Sequence, residues 1–176
     1  MLDAAGVAYS SVKPDVDEET LKVQLDDPSE IASELAAAKA ISVTSGEWVI
    51  GSDSVVAVGD HIFNKPCNRD AAEQHLRYFS GKLMHLTSSV ALAKRGKIEW
   101  RHTETARLWV RVLSEAFIAA YLDAEWPEIG YTVGAFRLEG RGVQLFSSIE
   151  GDHFTILGMP LIPLLAALRD RDLLLA

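Results

Sequence analysis

An acidic residue interrupts the part of this chain that reads most clearly as a buried strand. Residues 48–58 run Trp-Val-Ile-Gly-Ser-Asp-Ser-Val-Val-Ala-Val, with Asp53 in the middle. An acid in so apolar a run must be ion-paired, hydrogen-bonded, metal-bound or at the end of the strand, since an isolated buried charge is costly. The following Gly59-Asp60 pair predicts a hairpin turn that brings Lys65 back beside the first strand. One acid to hold a cation or water, and one cation to hold an anion, are the minimum set for phosphate-ester chemistry.

The composition limits the classes of protein to which the chain can belong. Its 176 residues suffice for one domain, or for two small lobes around one cleft. The formal net charge of -8 argues against nonspecific binding to DNA or anionic membranes, but not against a small phosphorylated ligand that meets a local cluster of lysines. Cys67 is the only cysteine, which excludes an internal disulfide and a cysteine metal cluster. Since no basic leader with an apolar core and no membrane-length apolar run is visible, we expect a cytoplasmic protein.

Helix and strand signals alternate along the chain. The motif Asp27-Pro28-Ser29-Glu30 combines a capping acid with proline at the first helical position, and predicts a helix to about Ile41 that carries Lys39 on its apolar face. The other predicted elements are a short strand at 7–12, an acidic loop at 15–19, a strand-turn-strand unit at 48–63, a helix at 69–79 capped by Asn68, strands at 87–93 and 97–112, a helix from Ser114 to about Ala124, a loop at 130–142 and a last helix from Pro160 to about Arg169. Several hairpin-length turns favour an α/β fold on a mixed sheet over a purely parallel sheet.

Two of the candidate site residues have a structural and a functional interpretation that the pattern leaves open. Asp53 is either an acid at a strand end that caps a turn or pairs with a lysine, or a magnesium ligand or general base. Lys39 is either a lysine whose aliphatic stem covers the edge of a core face, or a partly buried ammonium aimed at an anion.

Four exposed-looking charged residues carry similar alternatives. Lys65 is either a solvated hairpin lysine or an anion contact, and Lys82 is either a basic residue just after a helix end or a supporting cation. Glu18 lies in an acidic run of a kind that is usually solvated. Glu139 either reads the edge of a base or pairs with Arg137.

The histidines and the cysteine are predicted to be structural. The five histidines show no metal-ligand spacing, and Cys67 has no nearby triad pattern. The chain also contains no Walker loop and no Gly-x-Gly-x-x-Gly motif, which weakens a kinase or dehydrogenase interpretation.

Seven motifs in one order make the chain similar to the Maf family of nucleoside triphosphate pyrophosphatases, over nearly its whole length. The motifs are Asp15-Val16-Asp17-Glu18, Ala38-Lys39-Ala40, Ile50-Gly51-Ser52-Asp53-Ser54-Val55, Asn64-Lys65-Pro66, Ser80-Gly81-Lys82, Gly134-Ala135-Phe136-Arg137-Leu138-Glu139-Gly140, and residues 151–161 from Gly-Asp-His-Phe to Met-Pro-Leu. Any one of them is weak, whereas seven in order are specific.

The resemblance implies an elongated, two-lobed α/β fold with a central cleft, similar to Maf and inosine triphosphatase folds. It also implies a homodimer, dependence on Mg²⁺ or Mn²⁺, and hydrolysis of the bond between the α and β phosphates of a nucleotide. The roles that it implies are these: Asp53 as metal ligand or base, Lys39 and Lys65 as catalytic cations that neutralise the triphosphate, Lys82 as a supporting substrate contact, Glu18 in the metal site, and Glu139 near the base.

Three departures from the family pattern qualify these expectations. The family opens with a strand and a Ser-x-Ser-x-x-Arg phosphate loop, and this sequence starts at the equivalent of the helix that follows. Either the start codon was chosen too late, or the protein lacks an edge of its phosphate site, in which case we expect weak or absent catalysis on a surviving fold. Asn64 replaces the usual glycine before Lys-Pro. Glu139 with Phe136 resembles the branch acting on 7-methyl-GTP more than the branch acting on dTTP and UTP. The alternatives to an enzyme are a nucleotide-binding protein with little turnover and a regulator of septum formation.

Overall fold

The computed structural model describes residues 1–175, and these form six α-helices, five strands and three short 3-10 helices. The α-helices are α1 (Glu18–Val23), α2 (Pro28–Ser42), α3 (Arg69–Phe79), α4 (Glu115–Glu125), α5 (His153–Ile156) and α6 (Leu161–Arg169). The strands are β1 (Trp48–Val58), β2 (His61–Phe63), β3 (Leu83–Lys94), β4 (Lys97–Val110) and β5 (Phe146–Glu150). The 3-10 helices are Glu128–Tyr131, Val133–Ala135 and Arg141–Leu145.

All five strands belong to one open antiparallel sheet with the order β2-β1-β3-β4-β5. The hairpin predicted at Gly59-Asp60 is present, and it pairs Val58 with His61 and Val56 with Phe63. The predicted α/β fold is therefore confirmed. For β1–β2 and β3–β4 this direction follows from the turns, because strands joined by two residues can pair only in antiparallel fashion.

Helix starts are the sequence predictions that the structure reproduces most closely. The Asp27 carboxylate accepts hydrogen bonds from the backbone N–H groups of Ser29 at 2.8 Å and Glu30 at 3.0 Å, and so begins α2. Asn68 and Ser114 cap α3 and α4 in the same way. These caps satisfy backbone donors that have no partner inside the helix, which is why local sequence is enough to place them.

Three local predictions were wrong. Residues 7–12 form no strand and are mostly exposed. The acidic run continues into helix α1, because the Asp17 carboxylate accepts hydrogen bonds from both the backbone N–H and the hydroxyl of Thr20. The region 130–142, predicted as loop, contains 3-10 turns interrupted by Gly134 and Ala135, both of which have positive φ.

The chain divides into two compact units. Unit 1 comprises Met1–Ser54, Thr87–Glu104 and the chain from Asp152 onward, and unit 2 comprises Val55–Leu86 and Thr105–Gly151. Unit 1 contains a cluster of buried residues from β3 and α6, with Val7 and Met159: Val7, Val90, Leu92, Met159, Leu161, Leu164, Ala167 and Leu168. Unit 2 buries large side chains of α3, α4 and the neighbouring strand ends, such as Leu76, Phe79, Ile118 and Leu122. No helix within residues 1–175 is long and apolar enough to cross a bilayer.

Candidate active site

Three of the predicted site residues meet in unit 1. The Lys39 ammonium on α2 is hydrogen-bonded to Oδ1 of Asp53 on β1, and lies 2.9 Å from Oε1 of Glu18 at the start of α1. The side chains of Lys39 and Asp53 are 17% and 14% exposed, whereas that of Glu18 is 40% exposed. A nearly buried ion pair therefore opens to solvent on the side of Glu18.

Helix α2 reaches Asp53 because it packs directly against the backbone of β1. A Cβ atom on Gly51 would lie 2.2 Å from the carbonyl oxygen of Ala36 and 2.6 Å from the backbone nitrogen of Ala40. Both alanines belong to a buried cluster of small side chains with Ala37, Ala91 and Ala93. Since alternate residues of a strand face the same side, Gly51 places Asp53 under the same helix. Small residues thus set the distance across which Lys39 reaches the acid.

Hydroxyl groups hold the opposite face of β1. The Ser52 hydroxyl lies 2.8 Å from the carbonyl oxygens of both Ser89 and Gly158. The Ser54 hydroxyl shares a hydrogen bond of 2.7 Å with Ser88, whose hydroxyl lies 2.7 Å from the carbonyl oxygen of Thr155. Asp53 is therefore carried by a strand whose position is fixed from both sides.

Burial and the ion pair have opposing effects on the pKa values of both Asp53 and Lys39. Burial raises the pKa of the Asp53 carboxyl above its ordinary value, the negative charge of Glu18 adds to this, and Lys39 opposes it without reversing it. Burial alone would lower the pKa of Lys39, but its hydrogen bonds and attraction to Asp53 and Glu18 raise it. The ammonium therefore stays charged, and the carboxylate is more basic than an exposed aspartate.

Glu18 joins this group through a short helix that the sequence analysis assigned to a loop. The Asp17 side chain lies 3.1 Å from the backbone nitrogen of Thr20 and 2.7 Å from its hydroxyl. An acid followed by two more acids and a threonine is a helix-start signal, and this pattern was the available clue. Lys22, one turn further along, lies 4.0 Å from Glu18.

The cluster fits a hard divalent cation only in part. Among residues 1–175, no group of three or more His, Cys, Asp or Glu side chains converges as a metal site would. Asp53 and Glu18 nevertheless each place an oxygen on the same ammonium, so the two carboxylates share one point. Mg²⁺ is commonly held by one or two carboxylates, with waters and substrate phosphates completing its shell. Asp53 and Glu18 therefore match the carboxylate part of such a shell and no more.

The other two predicted lysines belong to unit 2, and both are exposed. Lys65 follows the β1–β2 hairpin and precedes the buried Pro66. The Lys82 ammonium lies 3.3 Å from the centre of the Tyr78 ring, a cation–π contact that restrains the side chain. The joint action of these lysines with Asp53 stays a prediction.

Glu139 lies in unit 2 on an exposed turn. The hydrogen bond to Glu125 raises the pKa of Arg137, the predicted alternative partner of Glu139, and the charge of Glu139 contributes to this rise. The Arg137 guanidinium donates to Glu125 at the end of α4, with Nη2 3.1 Å from Oε2. Glu125 is 7% exposed, and sequence reasoning missed it because nothing in the local pattern marks this acid as buried.

Two of the histidines make local contacts, and the structural role predicted for all five and for Cys67 stays a prediction. Burial lowers the pKa of His75, whose ring packs edge-on against Phe63. His102 hydrogen-bonds to Glu104 at 2.9 Å. Cys67 is an exposed free thiol.

Comparison with known proteins places the chain in a family. The profile described as Maf-like protein matches residues 1–171. A 7-methyl-GTP pyrophosphatase of Brucella suis is 43% identical over 176 residues, which cover 96% of this chain and 88% of that protein. A nucleoside triphosphate pyrophosphatase of Bradyrhizobium diazoefficiens is 43% identical over 99% of this chain and 89% of its own length. Another of that name, from Sphingopyxis alaskensis, is 44% identical over 96% of this chain and 89% of its own length.

These similarities define a class of hydrolases that act on nucleotides. The chain belongs to the Maf family, as its seven motifs predicted. Relatives with two different names have nearly equal identity to it, so sequence identity does not indicate which base a member prefers.

Proposed function

We propose that this protein is a nucleoside triphosphate pyrophosphatase that hydrolyses the α–β phosphate bond of noncanonical or modified nucleotides. The observation that carries the proposal is the half-buried cluster of Asp53, Lys39 and Glu18 in a chain whose family relatives are named as pyrophosphatases. Water adds across the α–β anhydride and gives a nucleoside monophosphate and pyrophosphate. We further propose that the protein acts in the cytoplasm, as a homodimer, and removes such nucleotides before they enter nucleic acid.

Asp53 is the group in the cluster best suited to take a proton from the attacking water. A general base works best when its pKa lies near the working pH, and burial raises the pKa of Asp53 in that direction. The adjacent Lys39 ammonium keeps the carboxylate ionised enough to act, because it favours the charged form. These two effects support the assignment of Asp53 as base or metal ligand.

The charges of the cluster explain why a divalent ion is part of the proposal. The ammonium groups of Lys39 and Lys22 balance the carboxylates of Asp53 and Glu18, so the cluster has no surplus positive charge for a triphosphate. When bound, Mg²⁺ or Mn²⁺ neutralises phosphate charge and assists departure of pyrophosphate. Asp53 and Glu18 are the residues that would hold the ion, and the Lys39 ammonium beside them would contact the substrate.

Lys65 and Lys82 of unit 2 supply the remaining positive charges that we assign to substrate binding. A triphosphate has about four negative charges, so cations are needed beyond the metal ion. We assign Lys65 to neutralisation of the triphosphate and Lys82 to a supporting contact, as the family resemblance implies. Glu139 is assigned to contact with the nucleobase of the substrate, as the family resemblance implies.

A product assay tests the proposal. The protein is incubated with Mg²⁺ and a panel that includes 7-methyl-GTP, GTP, dTTP and UTP, and the products are separated by ion-exchange chromatography. Monophosphate with pyrophosphate is expected, whereas diphosphate with inorganic phosphate would contradict cleavage of the α–β bond. The same assay is run on a second form of the protein, which is extended at its start by the family's Ser-x-Ser-x-x-Arg segment. Saturable binding without turnover in both forms would favour the nucleotide-binding alternative.

A further inference from the structure

Glu125 is a buried acid for which the proposed reaction has no role. It ends helix α4, is 7% exposed, and accepts a hydrogen bond from the Arg137 guanidinium at 3.1 Å. Its hydrogen bond raises the pKa of Arg137, so the guanidinium remains positively charged. The Arg137 side chain is 37% exposed, so only the acid of this ion pair is buried. Such a pair adds little net stability compared with apolar packing, but it does define orientation. The question is therefore what this pair orients.

The segment tied down by the pair is the turn that presents Glu139. The backbone nitrogen of Gly140 lies 3.2 Å from the carbonyl oxygen of Arg137, which closes a four-residue turn with Leu138 and Glu139 at its corners. Because Arg137 is the first residue of this turn, its contact with Glu125 anchors the turn to α4. Glu139 itself is exposed and therefore accessible to a ligand.

Gly140 and Gly142 allow the backbone to pack closely against Arg137 and Glu125. A Cβ atom on Gly142 would lie 2.4 Å from the carbonyl oxygen of Arg137 and 2.7 Å from its backbone nitrogen. A Cβ on Gly140 would lie 3.3 Å from Oε2 of Glu125, the oxygen that Arg137 contacts. The backbone on both sides of Glu139 is thus packed against the Glu125–Arg137 pair.

We propose that Glu125 and Arg137 are positioning residues that hold Glu139 to read a guanine-type base, an inference that rests on the proposed action on nucleotides. A carboxylate can accept hydrogen bonds from the adjacent N–H groups on the guanine edge, and it attracts the positive ring of 7-methylguanine. Thymine and uracil place carbonyl oxygens on both sides of their single N–H group, so a carboxylate repels them. Selectivity between these bases therefore depends on Glu139 and, through it, on Glu125.

Equilibrium binding tests this dependence separately from turnover. The ratio of the Kd for dTTP to the Kd for 7-methyl-GTP is measured by calorimetry for wild type, Glu139→Gln, Glu125→Ala and the double variant. Glu125→Gln, which keeps the acceptor but not the charge, serves if Glu125→Ala does not fold. Asp60→Asn, which changes an exposed acid elsewhere in unit 2, is the matched control.

We expect wild type to prefer 7-methyl-GTP, and each single change at Glu139 or Glu125 to reduce that preference about tenfold. In the double variant the preference for 7-methyl-GTP should fall no further than in either single variant, because Glu125 acts through Glu139. The preference for 7-methyl-GTP should fall about threefold in Glu125→Gln and should not change in Asp60→Asn. Equal weakening of both nucleotides by the Glu125 variants, additive losses, or a wild type without preference would overturn the inference. Intact selectivity without pyrophosphate release would instead refute the proposed function.

Discussion

Gly51 of β1 lies so close to Ala36 of α2 that a Cβ atom added to it would sit 2.2 Å from the Ala36 carbonyl oxygen. Real side chains do not approach a backbone oxygen this closely. The helix can therefore rest on the strand only where the strand has no side chain. The same contact allows Lys39 of α2 to pair with Asp53, two residues along the strand from Gly51. The stability of unit 1 and its proposed chemistry thus both depend on the lack of a side chain at Gly51.

The first prediction concerns this contact. Gly51→Ala forces α2 away from β1 and should lower the free energy of unfolding by about 3 kcal/mol, because the clash is with backbone that cannot rotate away. Urea denaturation followed by circular dichroism measures the change. Gly46→Ala is the matched control, since a Cβ there meets nothing within 4 Å, and it should change stability by less than about 0.5 kcal/mol. An equal effect of both substitutions would refute the packing argument.

The second prediction separates catalysis from stability at Asp53. Because burial raises the pKa of Asp53 in the folded state, its ionised form costs stability once the pH exceeds that pKa. Asp53→Asn removes this cost but also takes away the carboxylate nearest the Lys39 ammonium, which keeps Glu18 as its partner, so the two effects oppose each other and the melting temperature at pH 7 should change little. Turnover should fall by at least about 100-fold through loss of the base or metal ligand. Asp60→Asn, an exposed hairpin acid, should change neither quantity. Normal turnover by Asp53→Asn would show that the proposed role is wrong.

The third prediction concerns Lys39 and pH. Lys39→Met leaves Asp53 buried beside Glu18 without its ammonium partner, so stability at pH 7 should fall by about 2 kcal/mol. The folded-state pKa of Asp53 should rise further in this variant. Its stability deficit should therefore be small in acid, where Asp53 is protonated in both states, and should grow as the pH rises through that pKa.

Melting temperatures between pH 4 and pH 8 measure this deficit, with Lys97→Met as an exposed control. In the double variant with Asp53→Asn, most of the lost stability should return while turnover stays absent. A deficit that does not change with pH would show that the ion pair is not its cause.

The fourth prediction concerns the divalent ion and does not depend on turnover. Mg²⁺ and pyrophosphate together should raise the melting temperature more than the sum of either alone, because the carboxylates supply only part of the ion's shell. Differential scanning fluorimetry over a matrix of the two ligands measures the effect. Glu18→Gln should weaken the joint shift and Asp53→Asn should abolish it. A joint shift of wild-type size in Asp53→Asn would place the ion elsewhere.

The fifth prediction distinguishes the two exposed lysines. Lys65→Met should reduce kcat/KM by about 100-fold, as expected when one cation that stabilises developing charge is lost. Lys82→Met should cost about tenfold, since its ammonium is already engaged by the Tyr78 ring. Neither change should lower the melting temperature, because both side chains are exposed. Lys97→Met again serves as the control, and a loss of the same size in that variant would indicate a general charge effect.

Local interactions explain which parts of the fold were predictable. The start of α2 at Asp27 and the hairpin at Gly59-Asp60 depend on residues within four positions of each other, and both were predicted correctly. The short strand predicted at 7–12 failed because a strand needs a partner from elsewhere in the chain, and local pattern does not supply one. Helix α1 was missed although its cap is local, because a run of acids was interpreted by its charge alone.

The sequence by itself determined the family, the helix starts and the identity of the charged residues to suspect, because motif order and capping chemistry are properties of short segments. Only the tertiary structure decided which of these charges meet. It brought Lys39 to Asp53 through the missing side chain of Gly51, and it paired Arg137 with the buried Glu125 rather than with Glu139. Pairing and burial arise from contacts between residues far apart in the chain, and those contacts set which charges lose water and which pKa values shift.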